Sequence, residues 1–458
     1  MNNHIANALT QYFRCPERYI RIVSKAPLST KCGYFQFGKE ATCYGSYYGH
    51  QAPESPTATL HDASADIELR NGTVYLPFDP SQVADNLLCE CYTHEWRDSV
   101  VMSALAKAYY LIRPVLSIGV RRHLQKIYLS GWDKLAFPRW PLDCSVDNLF
   151  RQLMLLSLSS NGNEPIPFIW FWPEGASSCA VMTHDVETES GRDFCPELMD
   201  IDDVYGFKSS FQIIPEQRYR VNRDYLCSIR ERGFEVAVHD LNHDGHLYKD
   251  RNQFVERAAK INFYARVYGA EGFRAAVLYR KQLWYEALSF SYDMSVPNVA
   301  HLDPQRGGCC TVMPYFIGNI LEIPVTTTQD YTLFYILDDY SIALWKQQTE
   351  LIMKEHGLIS FIVHADYIRK PRERRIYEEL LGQLAQRREE NGVWITTPVE
   401  VNRWWRQRAE MRLVEYGGDW HIEGQGRERA RVAYASKKGN QLVFTLPDAE
   451  TLFIGQAV

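Results

Sequence analysis

The sequence predicts an α/β protein organised around a distorted parallel (β/α) barrel. Between Ser178 and about Trp405, short apolar segments alternate with polar loops and amphipathic helices, a pattern typical of βα units that build a parallel sheet. Roughly eight strand candidates within about 225 residues favour a closed or distorted barrel over an open sheet. The strand candidates read CAVMTHD, KSSFQII, FEVAVHD, GFRAAV, LSFSYD, ILEIPV, LISFIVH and VWIT, and two of the intervening helices read RNQFVERAAKINFYARVY and YSIALWKQQTELIMKEH.

The barrel is predicted to span residues 176–405, with a mixed α/β accessory region at 1–175 and a small β appendage at 406–458. In the accessory region, DIELRNGTVYL alternates apolar and polar residues around Asn71–Gly72, which predicts a hairpin with a type I′ turn. Ser99 to Tyr128 and FRQLMLLSL carry helical spacing. In the appendage, RLVEYGGDWHIEG and RVAYASKKGNQLVFTL predict two further hairpins.

Composition narrows the class of protein. The 458 residues, 46% hydrophobic and 23% charged, fall in the globular range, and a net charge of -6 gives no basic footprint for nucleic acid. The eleven cysteines include no CxxC pair, so we expect a reducing compartment and neither a disulfide framework nor a zinc ribbon. No signal-like stretch and no run of eighteen apolar residues is present. We therefore expect a cytoplasmic protein without a transmembrane segment, and the oligomeric state stays open.

Two conspicuous stretches have competing interpretations. The aromatic run FIWFWPEG, residues 168–175, could stack on sugar rings, but its position before a barrel strand favours packing in the seam between regions. The glycine-rich PQRGGCCTVMPYF, residues 304–316, could be a flexible lid or a plain connecting loop. A nucleophilic role for Cys309 or Cys310 has no further support.

Polar residues stand at the ends of several predicted strands. In an α/β barrel the carboxyl ends of the strands form one face, so side chains distant in sequence meet there. For the Asp185 and Glu187 pair alone, a helix cap would be sufficient explanation. Because several such residues follow different strands, a functional site at this face is favoured over separate helix caps. The strand-end residues are Asp185, His239, His243, Arg274, Asp293 and His364.

The spacing of these residues is compatible with a metal site. His239 and His243 are four residues apart, and in a helix or tight turn both imidazoles can reach one ion. Two histidines and one carboxylate are typical of a catalytic zinc site, where bound water has a pKa of ~7. One of Asp185 and Glu187 can then bind the metal while the other takes the proton of the water. His364 could protonate a departing amine, or it could be a buried core histidine.

Five short motifs, THDVE, HDLNH, FRAAV, SYDMS and FIVH, occur in this order over residues 183–364. Together they resemble the motifs of the NodB-homology polysaccharide deacetylases, carbohydrate esterase family four. The resemblance covers roughly residues 175–400. It implies a distorted (β/α) barrel, a divalent metal that is most often Zn²⁺, and removal of N-acetyl groups from an amino sugar or polysaccharide.

The resemblance also implies a role for each matching residue. It makes Glu187, His239 and His243 the metal ligands. It makes Asp185 the base, oriented by Arg274, and His364 the acid, tuned by Asp293.

Departures from the family pattern keep alternatives open. Val186 separates the two acids of the first motif, Asp240 follows the first histidine of the second, and the third motif has no proline, so Arg280 could replace Arg274. The additional imidazoles of His184 and His246 leave a different or second metal arrangement open. Two other functions also remain: an amidase acting on a non-sugar amide or imide, and a catalytically inactive carbohydrate-binding relative.

Overall fold

The computed structural model describes residues 3–93 and 118–447. Helices lie at Asn3–Phe13 (α1), Pro80–Leu88 (α2), Ile118–Tyr128 (α3), Ser145–Ser160 (α4), Glu189–Val204 (α5), Arg223–Glu231 (α6), Arg251–Tyr268 (α7), Ala343–Lys354 (α8), Ala365–Ile368 (α9), Pro371–Asn391 (α10) and Pro398–Glu410 (α11). The first six strands lie at Ile22–Ser24 (β1), Gly33–Phe37 (β2), Ala41–Gly45 (β3), Glu68–Arg70 (β4), Thr73–Leu76 (β5) and Ile166–Ile169 (β6). The later strands lie at Cys179–Val186 (β7), Ser210–Ile213 (β8), Glu235–His239 (β9), Gly272–Arg274 (β10), Tyr292–Asp293 (β11), Tyr315–Ile317 (β12), Ile320–Glu322 (β13), Leu358–Ile362 (β14), Trp394–Thr396 (β15), Arg412–Tyr416 (β16), Asp419–Glu423 (β17), Val432–Lys438 (β18) and Gln441–Thr445 (β19).

The largest sheet is the predicted parallel barrel. Its strand order is β12-β13-β11-β10-β9-β8-β7-β14, and all of these pairings are parallel except that of β12 with β13. Along one edge of β7, β15 pairs with Cys179–Val181 and β8 with Thr183–Val186, so the sheet splits there and curls. The segment after β13 bridges the remaining gap, because the hydroxyls of Thr326 and Thr327 donate to carbonyls of β14 at 2.7 and 2.8 Å. The predicted α/β class with a distorted barrel is confirmed.

Strand alternation decides which side chains reach the barrel interior. His184, Phe211 and Val236 lie in register and face outward, where the outer helices pack. Successive residues of a strand point to opposite faces of the sheet. Asp185 therefore points inward, at the carboxyl end of β7.

The accessory region and the tail share packing with the barrel. Strand β18 pairs antiparallel with β6, and a single apolar cluster joins Phe168 and Trp172 to the barrel residues Tyr292 and Leu321. The aromatic run is buried, as the packing interpretation predicted. Among the described residues, no strand before Cys179 enters the barrel sheet. The three-part division of the chain stays a prediction.

The predicted hairpins are confirmed. Strands β4 and β5 turn at Asn71–Gly72, both with positive φ, and the pairs β16–β17 and β18–β19 form the two hairpins of the tail.

The helical prediction for residues 99–117 falls outside the described residues. The segment 304–316 is not an exposed lid, since its residues from Gly307 to Pro314 are buried. Within the described ranges, no helix has the length and apolar character needed to cross a bilayer.

Asp147 joins helix α4 to this buried segment. Its carboxylate accepts hydrogen bonds from the Tyr12 hydroxyl at 3.0 Å, the Thr311 hydroxyl at 2.8 Å and the Val312 amide at 3.1 Å. Burial nevertheless raises the pKa of Asp147 from 3.8 to about 7.

We predict that Asp147 makes the protein less stable as the pH rises from about 4 to about 7. In this window the unfolded chain releases a proton that the folded protein retains, so rising pH favours unfolding. At about 1.36 kcal/mol per pH unit, the loss amounts to at most about 4 kcal/mol. Urea unfolding of Asp147→Asn should lack this component, whereas the exposed control Asp224→Asn should retain it. Identical pH dependence in wild type and Asp147→Asn would contradict this account.

Candidate active site

The candidate active site lies where the carboxyl ends of the barrel strands meet. Asp185 comes from β7, His239 from β9 and Arg274 from β10, while His364 follows β14. All four side chains are buried, with Arg274 fully so. Parallel strands bring their carboxyl ends to one face, and the predicted convergence of these residues depends on that geometry.

Arg274 binds Asp185 inside the barrel. Its Nη1 donates to Asp185 Oδ1 at 2.6 Å and to the Thr183 hydroxyl at 2.8 Å, and its Nε donates to the Met294 carbonyl at 3.1 Å. Burial by itself would raise the pKa of Asp185, but the charge of the adjacent Arg274 guanidinium holds it below its usual value. The carboxylate is therefore kept ionised and fixed in direction.

Three predicted metal ligands come together beside this pair. Donor atoms of Glu187, His239 and His243 all lie within 4.8 Å of one another, and His243 Nε2 is 2.9 Å from Glu187 Oε1. Asp185 lies next to this group, with Oδ2 at 3.6 Å from His239 Nε2. In the described part of the chain, these three residues form the single group whose donors are close enough for one ion.

His239 provides a test of whether a metal fits. Its Nδ1 is 3.1 Å from the Arg274 carbonyl, so this nitrogen carries the proton and donates. Its Nε2 is then an acceptor, and it is buried without a hydrogen-bond partner. Ligating histidines characteristically donate their other ring N–H to a carbonyl or carboxylate. A buried imidazole lone pair beside a second imidazole and a carboxylate suits a divalent cation.

A tight turn, not a helix, brings the two histidines together. Asp240 and His243 both have positive φ, at 55° and 57°, and the Asp240 amide donates to the Arg274 carbonyl at 2.8 Å. Arg218 donates to the carbonyls of Asn242 and His243 at 3.1 and 2.6 Å. Non-glycine residues with positive φ are uncommon and often lie at functional sites, where the surrounding structure holds them in place.

His364 faces Glu187 on one side and Asp330 on the other. Its Nδ1 lies 2.6 Å from Asp330 Oδ1, its backbone amide donates to Asp330 Oδ2 at 2.7 Å, and its Nε2 is 3.5 Å from Glu187 Oε1. Burial would lower the pKa of His364, but the Asp330 carboxylate outweighs this effect and raises the pKa well above its usual value. Asp330 therefore favours the protonated form of this imidazole.

The carboxylate that contacts His364 corrects the sequence prediction, which assigned that position to Asp293. Asp293 lies in register with Phe273 and Glu322, on the outer face of the sheet, and accepts from Tyr285 and Ser295. Asp330 was missed because it follows β13 in a segment without clear strand or helix periodicity. Its only signal is the acid that ends VTTTQD.

The remaining candidates have other partners and do not join the ligand group. Arg280 binds Glu90, so it does not replace Arg274 as the partner of Asp185. His184 faces the outer helices, where its Nε2 is 3.1 Å from Asp202. His246 is half-exposed and lies near Asp244. Neither of these two imidazoles belongs to the three-residue ligand group.

Comparison with known proteins gives structural neighbours of low similarity. No family model matches the chain, and no curated protein matches it significantly. A proposed polysaccharide deacetylase from Mycobacterium smegmatis is 17% identical, with a TM-score of 0.43 and coverage of 55% of this chain and 98% of that chain. The Xyl-CE4 domain of a xylanase from the hindgut metagenome of Trinervitermes trinervoides is 14% identical, with a TM-score of 0.31 and coverage of 50% and 90%. Peptidoglycan deacetylase PdaC from Bacillus subtilis is 11% identical, with a TM-score of 0.33 and coverage of 50% and 93%. Two of these three neighbours are described as deacetylases and the third as a CE4 domain.

We predict that Asp330, and not Asp293, controls the protonation of His364. Asp330→Asn should lower the pKa of His364, because it removes the carboxylate that favours the imidazolium. NMR titration of the metal-free protein through the ring C–H signals of His364 measures this change. Asp293→Asn, which removes a carboxylate from the outer face, is the matched control and should leave the titration as in wild type. A fall in pKa for Asp293→Asn alone would reverse the assignment.

Proposed function

We propose that the protein is a metal-dependent hydrolase that removes N-acetyl groups from an amino sugar or polysaccharide. The observation that carries the proposal is the unpartnered Nε2 of His239, which is buried among Glu187, His243 and Asp185. Most buried polar side-chain atoms have a hydrogen-bond partner, so an unpartnered ring nitrogen beside a second imidazole and a carboxylate favours a bound cation. The five motifs that resemble the NodB-homology deacetylases support the same reaction class.

Glu187, His239 and His243 would hold the ion. Two neutral imidazoles and one carboxylate are a donor set that zinc accepts with positions left open. A zinc ion bound there supplies Lewis acidity and lowers the pKa of water to ~7. Burial keeps His239 neutral and lowers its pKa to about 4, and this favours its role as a ligand.

Asp185 would act as the general base. Arg274 takes one of its oxygens at 2.6 Å, which leaves Oδ2 as the oxygen that faces the ligand group. A base must be ionised before it accepts a proton, and the guanidinium ensures this. Asp185 and Glu187 thus take separate roles although they are two residues apart.

His364 would act as the general acid. Its Nδ1 is held by Asp330, so the proton available for transfer is on Nε2, which faces the ligand group beside Glu187. Cleavage of an amide requires protonation of the departing amine. An imidazolium held beside Glu187 can supply that proton.

The substrate class tests this proposal directly. Wild-type protein loaded with zinc should release acetate from N-acetylated amino sugars or their polymers and should not release ammonia from non-sugar amides or imides. Release from the amides alone would favour the amidase alternative. Binding of sugar without any acyl release by the zinc-loaded protein would favour an inactive carbohydrate-binding protein.

We predict that changes to the two acids of the first motif have separable effects. Asp185→Asn should retain about one equivalent of zinc while activity falls by about 10²–10⁴-fold, the usual contribution of a general base. Glu187→Gln should lose zinc affinity, and the double variant His239→Ala, His243→Ala should lose the metal altogether. His246→Ala, in the same loop but outside the ligand group, is the matched control and should keep both metal and activity.

Zinc content and acetate release are measured on the same preparation of each variant. Loss of metal in Asp185→Asn with full metal in Glu187→Gln would exchange the two roles. Unchanged metal content in the double histidine variant would exclude the site.

A further inference from the structure

A buried polar cluster lies on the outer face of the barrel, behind the first motif. His184 is fully buried, and its Nε2 is 3.1 Å from Asp202 Oδ2 and 3.3 Å from the Tyr377 hydroxyl. The Asp202 carboxylate accepts hydrogen bonds from the Tyr377 hydroxyl at 2.5 Å and from the Ser209 hydroxyl at 2.6 Å. Burial of a carboxylate is costly unless it is paired and hydrogen-bonded, and these contacts meet that requirement. Helices α5 and α10, which carry Asp202 and Tyr377, thereby fix the direction of the His184 ring.

The other ring nitrogen of His184 reaches the segment that leads to His364. His184 Nδ1 is 3.1 Å from the carbonyl oxygen of Val363. A carbonyl only accepts hydrogen bonds, so Nδ1 carries a proton and donates. The Val363 amide donates to the Thr183 carbonyl at 3.0 Å. Two consecutive residues of β7 therefore bind both backbone polar groups of Val363, the residue immediately before His364.

The Val363 carbonyl and the His364 amide belong to the same peptide group. Because a peptide group is planar, a contact that fixes its C=O also fixes the direction of its N–H. The His364 amide donates to Asp330 Oδ2 at 2.7 Å, and Asp330 Oδ1 is 2.6 Å from His364 Nδ1. His184 and Asp330 therefore hold the two ends of one peptide group, and Asp330 also holds the imidazole of His364.

We propose that His184 is a positioning residue for the proposed general acid, His364. Its Nδ1 holds the peptide group between Val363 and His364, and Asp202 and Tyr377 hold its ring. The inference rests on the proposed deacetylase function and adds to it a contact on the outer face of the barrel that sets the position of the acid. A displacement of about 1 Å can lower a rate by about 10²-fold, so this contact affects catalysis without touching the substrate.

Two carboxamide side chains separate the two hydrogen bonds of His184. In His184→Asn the carboxamide nitrogen takes the place of Nδ1 and still donates to the Val363 carbonyl, but the side chain is too short to reach Asp202. In His184→Gln the carboxamide reaches the place of Nε2 and keeps the contact with Asp202, but the bond to Val363 is lost. A positioning role through Val363 predicts that His184→Asn retains what His184→Gln loses.

The first experiment measures kcat of zinc-loaded protein on an N-acetyl amino sugar and on para-nitrophenyl acetate. The departing amine of the sugar needs a proton, whereas para-nitrophenolate leaves without one. His184→Gln should lower the sugar to ester ratio of kcat by about tenfold or more, while His184→Asn should keep the wild-type ratio. A role in stability alone would lower both activities together. An unchanged ratio in His184→Gln, or an equal fall in His184→Asn, would overturn the positioning role.

His356 provides the matched control. It is buried, its Nδ1 is 3.0 Å from the Ser177 carbonyl, and it precedes β14 at the end opposite to His364. His356→Asn and His356→Gln should both keep the wild-type ratio, because the bond that they alter lies at the far end of the strand.

The second experiment is independent of activity. Amide hydrogen exchange of the metal-free protein, followed by NMR, reports local opening at single residues. The His364 amide should exchange about tenfold faster in His184→Gln than in wild type, which corresponds to the net contribution of one hydrogen bond. The Ser360 amide, which donates to Thr326 Oγ1 at 2.9 Å within β14, should be unaffected. Equal exchange of the His364 amide in His184→Gln and wild type would contradict the inference.

Altered contacts to the buried Asp202 can prevent folding, so both variants are also made together with Asp202→Asn, which removes the buried charge. The two double variants should show the same difference in ratio and in exchange, and equal values in the folded double variants contradict the inference. Wild-type protein that releases no acetate from the N-acetyl sugar contradicts the proposed function. The exchange of the His364 amide still tests the contact in that case, so the two failures are distinguishable.

Discussion

A guanidinium buried in a barrel needs hydrogen-bond acceptors for its N–H groups and a carboxylate to balance its charge. The residues at the carboxyl ends of the barrel strands are arranged to meet this need of Arg274. Its hydrogen bonds reach Asp185 and Thr183 on β7 and the Met294 carbonyl after β11. Its own carbonyl accepts from the Asp240 amide and from His239 Nδ1. One residue therefore fixes the proposed base, the tautomer of a proposed metal ligand and the start of the loop that carries His243, because leaving any of these groups unpaired in the interior would cost stability.

This arrangement gives two nearby acids different chemistry. Asp185 forms an ion pair with Arg274. Glu187, two residues further along the chain, instead lies beside His243 and His364. The Glu187 backbone amide donates to Asp366 at 3.1 Å, so the residue that would bind the ion is also held by helix α9, which follows β14. Fixed supporting contacts of this kind reduce the reorganisation that a catalytic site needs.

The sequence predicted those parts of the structure that depend on local periodicity. The buried strand β7, helix α7 and the hairpin at Asn71–Gly72 are visible in short windows, and the convergence of strand ends follows from the parallel barrel. The prediction for Asp293 was wrong because β11 has only two residues, and neighbouring residues of a strand point to opposite faces of the sheet. An error of one position therefore moves a side chain from the inner to the outer face. Glu90 and Arg280 are 190 residues apart, so no local pattern could have connected them. Asp330 likewise depends on how an irregular segment packs against β14.

The most direct test of the central account is a crystal structure of the zinc-loaded protein with an anomalous map at the zinc edge. The account predicts one peak within about 2.0–2.2 Å of Glu187, His239 and His243, with Asp185 still bound to Arg274. A peak in which Asp185 replaces Glu187 as ligand and its bond to Arg274 is broken would contradict the division of roles between the two acids.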